Sequence, residues 1–230
     1  MDQSSDQSSD QGAGQKIESS RLAGIEGRLA QSQALTWTAV AKIAAQIKPG
    51  MTELEAIRMG QKTLAELGCK KFWHKCHIRF GKGTVCSFED EYADHVLGND
   101  DIFYVDIGPI WDGIEGDAGT TFVTGTNPDY LRCKVDVKLI FDQVAAAWRS
   151  QKLTGVELYR VAERSAKERG WVLAPSYVRG HRLAEFPHSF HSEATIDSLD
   201  FCPVPKRWML EIHICDLDHK FGAFHEDLLQ

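Results

Sequence analysis

The chain has 230 residues, 33 acidic against 26 basic side chains and a formal net charge of −7. Its length fits one large domain or two small halves sharing a core, able to bury roughly 70–75% of its unfolded surface without disulfides. The acidic balance and the absence of a long Lys/Arg run argue against nucleic acid as a partner, and no apolar run approaches the roughly 20 residues a bilayer requires. The start, Met1-Asp2-Gln3-Ser4, lacks the basic-then-apolar pattern of a secretory signal, which reads as a cytoplasmic protein. Six cysteines without any C-x-x-C pair suit reduced, half-buried thiols rather than a disulfide framework or a zinc knuckle.

Residues 1–16 repeat Asp-Gln-Ser-Ser with almost nothing apolar, and such a segment cannot offset its ordering entropy, so a disordered tail is expected there and a single domain over 17–230. From Leu22 to Ile47 apolar residues recur at near-helical spacing until Lys48-Pro49-Gly50 ends the run. Thr52 with Glu55 reads as a capping box opening a second helix that stops near Gly68. Phe72 to Phe80 and Thr84 to Phe88 read as short strands separated by Gly81-Lys82-Gly83. Two β-forming runs follow, from Ile102 to Gly108 and from Thr120 to Thr124, with Trp111-Asp112-Gly113 as a hairpin turn between them. Helix returns from Pro128 to Gln151, and another, opened by Thr154 with Glu157, runs to Gly170. Trp208 to Cys215 and Phe221 to Leu229 close the chain as strands. Helices, strands, helices, then strands again predict an α+β fold with an architectural duplication rather than alternating βαβ units.

Asp106 stands in an otherwise apolar strand, where an ionised carboxylate is costly without a cation or hydrogen bonds. Asp117 begins the next strand, so the two carboxylates can meet side by side. Glu211 and Glu226 are again charges amid apolar neighbours. Any one of them is more often a surface or salt-bridged acid, but four carboxylates in one interior repel without a compensating cation. With one imidazole they suit two divalent ions (Mn, Co, Zn or Fe) better than a structural zinc.

Val105-Asp106-Ile107-Gly108, Asp117 after ten intervening residues from Asp106, Thr121-Phe122 and Gly125 resemble the aspartate pair of the pita-bread metallopeptidases, which include methionine aminopeptidases, prolidases, aminopeptidase P and creatinase. Gly180-His181 resembles that family's metal-binding Gly-His, and His188 follows where the family has a substrate-facing histidine. Glu211 after Met209, and Glu226-Asp227 after Gly222, resemble its two C-terminal glutamate motifs. The resemblance runs from about Gly50 to the C-terminus, without a separate N-terminal domain before it. Gly180-His181-Arg182-Leu183-Ala184 stands where the family has Gly-His-Gly-Ile-Gly, and Ile212-His213 follows Glu211 where the family has proline.

The resemblance implies two pseudo-symmetric halves with a curved antiparallel sheet flanked by helices, and a dinuclear metal-dependent hydrolase of the aminopeptidase or prolidase kind. It implies that Asp106, Asp117, His181, Glu211 and Glu226 hold two divalent ions, with a bridging water held mainly through Asp117 and Glu226 that attacks a peptide or other C–N bond. Glu211 would pass a proton to the leaving amine and His188 would stabilise the oxyanion. His95 is a looser match to a further family histidine, against the plainer reading of a surface-loop residue. His213, two residues after Glu211 and so on the same strand face, and Arg182 are candidates for the substrate pocket. His74, His77 and His191 read as structural, and Trp73 and Trp111 as core. The substrate is then a small peptide or small molecule, with a homodimer as a possible assembly. Two other readings stay open: an iron-dependent oxygen-activating enzyme on the same scaffold, and an inactive peptide-binding domain.

Overall fold

The computed structural model describes residues 25–87, 90–91, 93–175, 179–188 and 192–230; the expected tail over 1–16, and His191, lie outside them. Helices α1 (Glu26–Ala44) and α2 (Glu53–Glu66) come first, and α2 opens on the capping box formed by Thr52 and Glu55. Strands β1 (Lys71–Phe72) and β2 (His77–Phe80) follow, then β3 (Asp101–Ile107), β4 (Pro109–Trp111), β5 (Ile114–Glu115) and β6 (Ala118–Thr124). Helix α3 (Pro128–Gln151) starts with Pro128 behind an Asn127 cap, and α4 (Gly155–Glu168) repeats the capping box with Thr154 and Glu157. Strands β7 (Val172–Leu173), β8 (Met209–Cys215) and β9 (Gly222–Leu228) complete the chain.

Six strands form one antiparallel sheet in the order β2-β3-β6-β9-β8-β7, while β1, β4 and β5 form a small second sheet. The order is a palindrome. Two helices and then β2, β3 and β6 make one half, two helices and then β7, β8 and β9 make the other, and β6 meets β9 at the seam.

Each half packs its helices on one face of its strands. Val137, Ile140, Val144 and Trp148 of α3 bury against Leu210, Ile212 and Ile214 of β8, and Val40, Ile43 and Leu64 bury with Val105 and Ile107 of β3. Because side chains alternate along a strand, the residues between these core positions, such as Asp106, Glu211 and His213, point to the opposite face. That face carries the site.

The hairpin over Asp112 and Gly113 forms as expected, with φ of 49° and 78° at the two turn residues. Two strand expectations need correction. Phe72–Phe80 is interrupted by a bend at Trp73-His74, where the Trp73 amide donates to the Gly108 carbonyl and the chain turns toward the site. The strand expected from Thr84 to Phe88 does not form over its described residues: Gly81–Val85 is a 3₁₀ turn, Cys86 and Ser87 follow without strand pairing, and Phe88 lies outside the described residues. Gly81 takes φ 50°, the Thr84 hydroxyl donates to the Gly81 carbonyl, and the same oxygen accepts the Gly222 amide. The alternation in the sequence cannot reveal these local side-chain bonds, which compete with sheet formation.

Candidate metal centre

Strand register aligns the carboxylates. Asp106 pairs with Gly119, Gly119 with Glu226, and Glu226 with Glu211, so the four residues form one row across β3, β6, β9 and β8. Directly paired residues share a sheet face. Gly119 is the one member without a side chain, and a Cβ there would come within 2.7 Å of Glu226 Oε1. The missing side chain makes room for the Glu226 carboxylate. Asp117 stands two residues before Gly119, on the same side of the sheet, and its backbone is clamped from α1: its amide donates to Gln33 Oε1, and Gln33 Nε2 donates to its carbonyl and to Asp227 Oδ1.

Asp117 accepts an imidazole on each oxygen. His181 Nε2 lies 2.7 Å from Oδ2, and His74 Nε2 lies 3.1 Å from Oδ1 and 3.5 Å from Asp106 Oδ1. His181 is also 3.8 Å from Glu211 Oε1. Two overlapping groups have ligand atoms close enough to share an ion, His74 with Asp106 and Asp117, and Asp117 with His181 and Glu226.

The electrostatics follow from this crowding. Burial, then the Asp117 charge, pushes Asp106 from 3.8 up to about 6 against the pull of His74. Glu211 rises from 4.5 to about 7, first through burial. Glu226 is held well above the carboxylate range by burial and by Asp117, Asp106 and Glu211 together. Asp117 alone goes down: burial opposes its charge, but hydrogen bonds from His181 and His74 outweigh it. Both imidazoles rise to about 9, since their carboxylates overcome the cost of burial. Glu226 is 2% exposed, and its Oε1 meets no hydrogen-bond donor among the described residues. A buried carboxylate oxygen without a donor, among three other carboxylates, is the chemistry that divalent cations satisfy, so these residues fit a divalent metal centre.

A cavity of about 280 Å³ opens on this face. His188 lines it, held by Glu115, which accepts both its amide (2.9 Å) and its Nδ1 (3.0 Å) and also takes the Ala184 amide. His213 lines it too, with Nε2 donating to the Thr84 carbonyl at 2.7 Å; burial lowers its pKa to about 4, so it stays neutral. The structure thus brings together Asp106, Asp117, His181, His188, Glu211, His213 and Glu226 around one cavity.

Two other candidates stand apart from it. His95 is not among the lining residues: its amide faces Glu53 Oε2 and its carbonyl accepts the Glu53 amide, which ties it to the start of α2. Arg182 is 1% exposed and does not line the cavity either, and it serves the site through its carbonyl, which accepts His181 Nδ1 at 2.8 Å. Three residues were read otherwise from sequence and a fourth, Glu115, was missed. His74, His77 and Trp73 line the cavity instead of serving only as structure, with Trp73 edge-on to His74 and His188, and buried Glu115 carried no signal beyond its place after the hairpin. Trp111 does pack in the core, donating to Thr36 Oγ1.

Residues 27–222 match the model of metallopeptidase family M24. No curated protein matches the sequence. Among solved structures the chain is similar to an X-Pro aminopeptidase from Thermotoga maritima (20% identity, TM-score 0.71, 93% of this chain and 61% of that one). It is also similar to a prolidase from Pyrococcus furiosus (17%, TM-score 0.70, 90% and 60%) and a methionine aminopeptidase from Thermotoga maritima (15%, TM-score 0.64, 86% and 88%). The chain spans about three fifths of the length of the first two. With a family match over most of its length and an overall fold similar to these structures, the chain belongs to metallopeptidase family M24 and has the pita-bread fold.

Proposed function

We propose that the chain is a metal-dependent hydrolase that cleaves the C–N bond of a small peptide or related amide, using two divalent ions held by Asp106, Asp117, His181, Glu211 and Glu226. The observation that carries this reading is the in-register row of buried carboxylates, with Asp117 and His181 beside it, facing one small cavity. Two such ions, when bound, supply Lewis acidity and a water acidified enough to attack at neutral pH. The chain's own residues orient and complete the reaction. Glu115 occupies Nδ1 of His188, so Nε2 is the atom left to meet the substrate carbonyl. Glu211 is the carboxylate that passes a proton to the leaving amine. His213, Tyr104 and Phe224 form the wall that receives the substrate, and a cavity of about 280 Å³ limits that substrate to small molecules. Among the described residues no helix is long and apolar enough to cross a membrane.

A second reading has one specific observation behind it. His74 joins His181 at the carboxylates, and four carboxylates with two imidazoles is also the donor set of di-iron oxygen-activating proteins. The deciding experiment starts with metal content of protein purified without added metal, alongside Asp106→Ala and Glu226→Ala. It continues with hydrolysis of a dipeptide and amide library under manganese, cobalt, zinc and iron, and oxygen uptake under iron. Two ions per chain, lost in both variants, together with release of an amine product support the hydrolase. Oxygen uptake without hydrolysis under any ion replaces it with the second reading.

A further inference from the structure

Asp117 is flanked alike on both sides. His181 and His74 each present Nε2 to one of its oxygens, and each has its other ring nitrogen on a backbone carbonyl: His181 Nδ1 on Arg182 at 2.8 Å, His74 Nδ1 on Lys75 at 2.7 Å. Metal-ligating histidines are oriented in this way, with the far N–H donated to a carbonyl or carboxylate so that the near nitrogen carries its lone pair toward the ion. The His74 ring is held on both sides, edge-to-face with Trp73 at 4.3 Å and stacked on His77 at 5.6 Å. A Cβ on Gly108 would overlap the His74 ring, so the glycine after Asp106-Ile107 admits the imidazole to this edge.

A simple ion pair is the competing explanation, but the ring is placed as a ligand is. Nδ1 donates to the Lys75 carbonyl, and Nε2 faces Asp117 Oδ1 and Asp106 Oδ1 at 3.1 and 3.5 Å, three ligand atoms close enough to share one ion. We propose that His74 is a sixth protein ligand of the metal centre, binding through Nε2 the ion shared by Asp106 and Asp117, so that each of the two ions receives one imidazole. The proposal rests on the two-ion reading above. Its consequence is selectivity: the added nitrogen moves that position away from manganese, which favours an all-oxygen shell, toward cobalt, iron or zinc.

The test is cobalt binding to metal-stripped wild type, His74→Ala and Asp106→Ala by titration calorimetry, with the cobalt K-edge X-ray absorption spectrum of the loaded wild type. Loss of a partner that only orients a ligand weakens a site by about 10–100-fold, so His74→Ala is expected to weaken one of two sites by at least about tenfold and leave the other intact. The wild-type spectrum is expected to show about one imidazole per ion, and this readout does not depend on how the variant folds. Two sites of wild-type affinity in His74→Ala, or a spectrum with about half an imidazole per ion, overturn the ligand while leaving the dinuclear centre standing. A wild type that takes up no cobalt at all sinks both.

Discussion

Replacing Glu226 by glutamine separates a metal ligand from a structural acid. Glu226 is 2% exposed, its Oε1 has no donor among the described residues, and its neighbours hold its pKa well above the carboxylate range. Without metal, burial and the neighbouring carboxylates favour the neutral form of the side chain, and a neutral isostere changes little: Glu226→Gln should shift metal-free stability by less than about 1 kcal/mol. An acid working through buried hydrogen bonds or ion pairs would instead cost about 3–5 kcal/mol on losing its charge. With metal the comparison reverses. One ion at a hundred times its Kd adds about 2.7 kcal/mol, which for a chain of this size raises Tm by roughly 5–10 °C. Thermal melts in chelator and in cobalt or manganese test both halves. Wild type should gain that increment and the variant should lose most of it, starting from nearly the same chelated Tm. A variant already several degrees lower in chelator, yet gaining the full increment with metal, refutes the assignment of Glu226 as a ligand.

The same crowding predicts a pH dependence for the metal-free protein. Asp106 raised from 3.8 to about 6 and Glu211 from 4.5 to about 7 cost the fold roughly 3 kcal/mol each once ionised, so their effect is absent below about pH 4 and grows through pH 7. His74 and His181, raised to about 9, add stability that is complete below 6.5 and is lost as pH climbs through 9. Urea midpoints in chelator should fall from pH 5 to pH 9, less steeply in Glu211→Gln, and a flat or rising profile contradicts the buried cluster. Glu115→Ala, by freeing His188, should lower kcat by about 10–100-fold at unchanged metal content; metal loss in parallel would place Glu115 in the metal shell instead. Trp171→Ala should cost about 3–5 kcal/mol, since the ring is 2% exposed, donates to Asp136 at 2.8 Å and lies 3.9 Å under Arg132, with metal content per folded chain unaltered. A denaturation midpoint near that of wild type would mean that the second core does not depend on it.

The sequence makes the charged positions legible because each breaks a hydrophobic pattern. Asp106 between Val105 and Ile107, and Glu211 between Leu210 and Ile212, stand out as charges on strands whose alternate residues are core. Capping boxes at Thr52 and Thr154 and the Asp112-Gly113 turn are equally local and place three element boundaries. What stays hidden depends on distance in sequence. Gln33 reaches Asp117 across 84 residues and Glu115 reaches His188 across 73, and no periodicity marks either pair. His74 lacks a signal for a related reason: it lies in a bend between two short strands, and only the folded sheet turns it toward Asp117. His95 shows the converse: of its two readings the plainer one, a loop residue away from the site, is the one the cavity lining agrees with, since nearness to Asp106 in sequence does not bring it to the cavity in space.

The position of the site at the seam has a physical reason. Asp106 and Asp117 come from one half, Glu211 and Glu226 from the other, and the sheet joins them only where β6 pairs with β9 at Gly119 and Thr120. Each half alone carries two carboxylates, the charge of a single divalent ion. Docked without metal, the halves bring four carboxylates together on one face, and burial, with the neighbouring charges adding to it, pushes three of the four up in pKa. That repulsion acts across a junction with few ladder pairs: two residue pairs link β6 to β9, against seven between β3 and β6 and seven between β8 and β9. On the two-ion reading proposed above, bound ions would turn the same contact from repulsive to cohesive, and metal occupancy and the docking of the halves would then stabilise each other. The seam is where a metal ion has the greatest leverage on the fold and where both halves can offer it ligands.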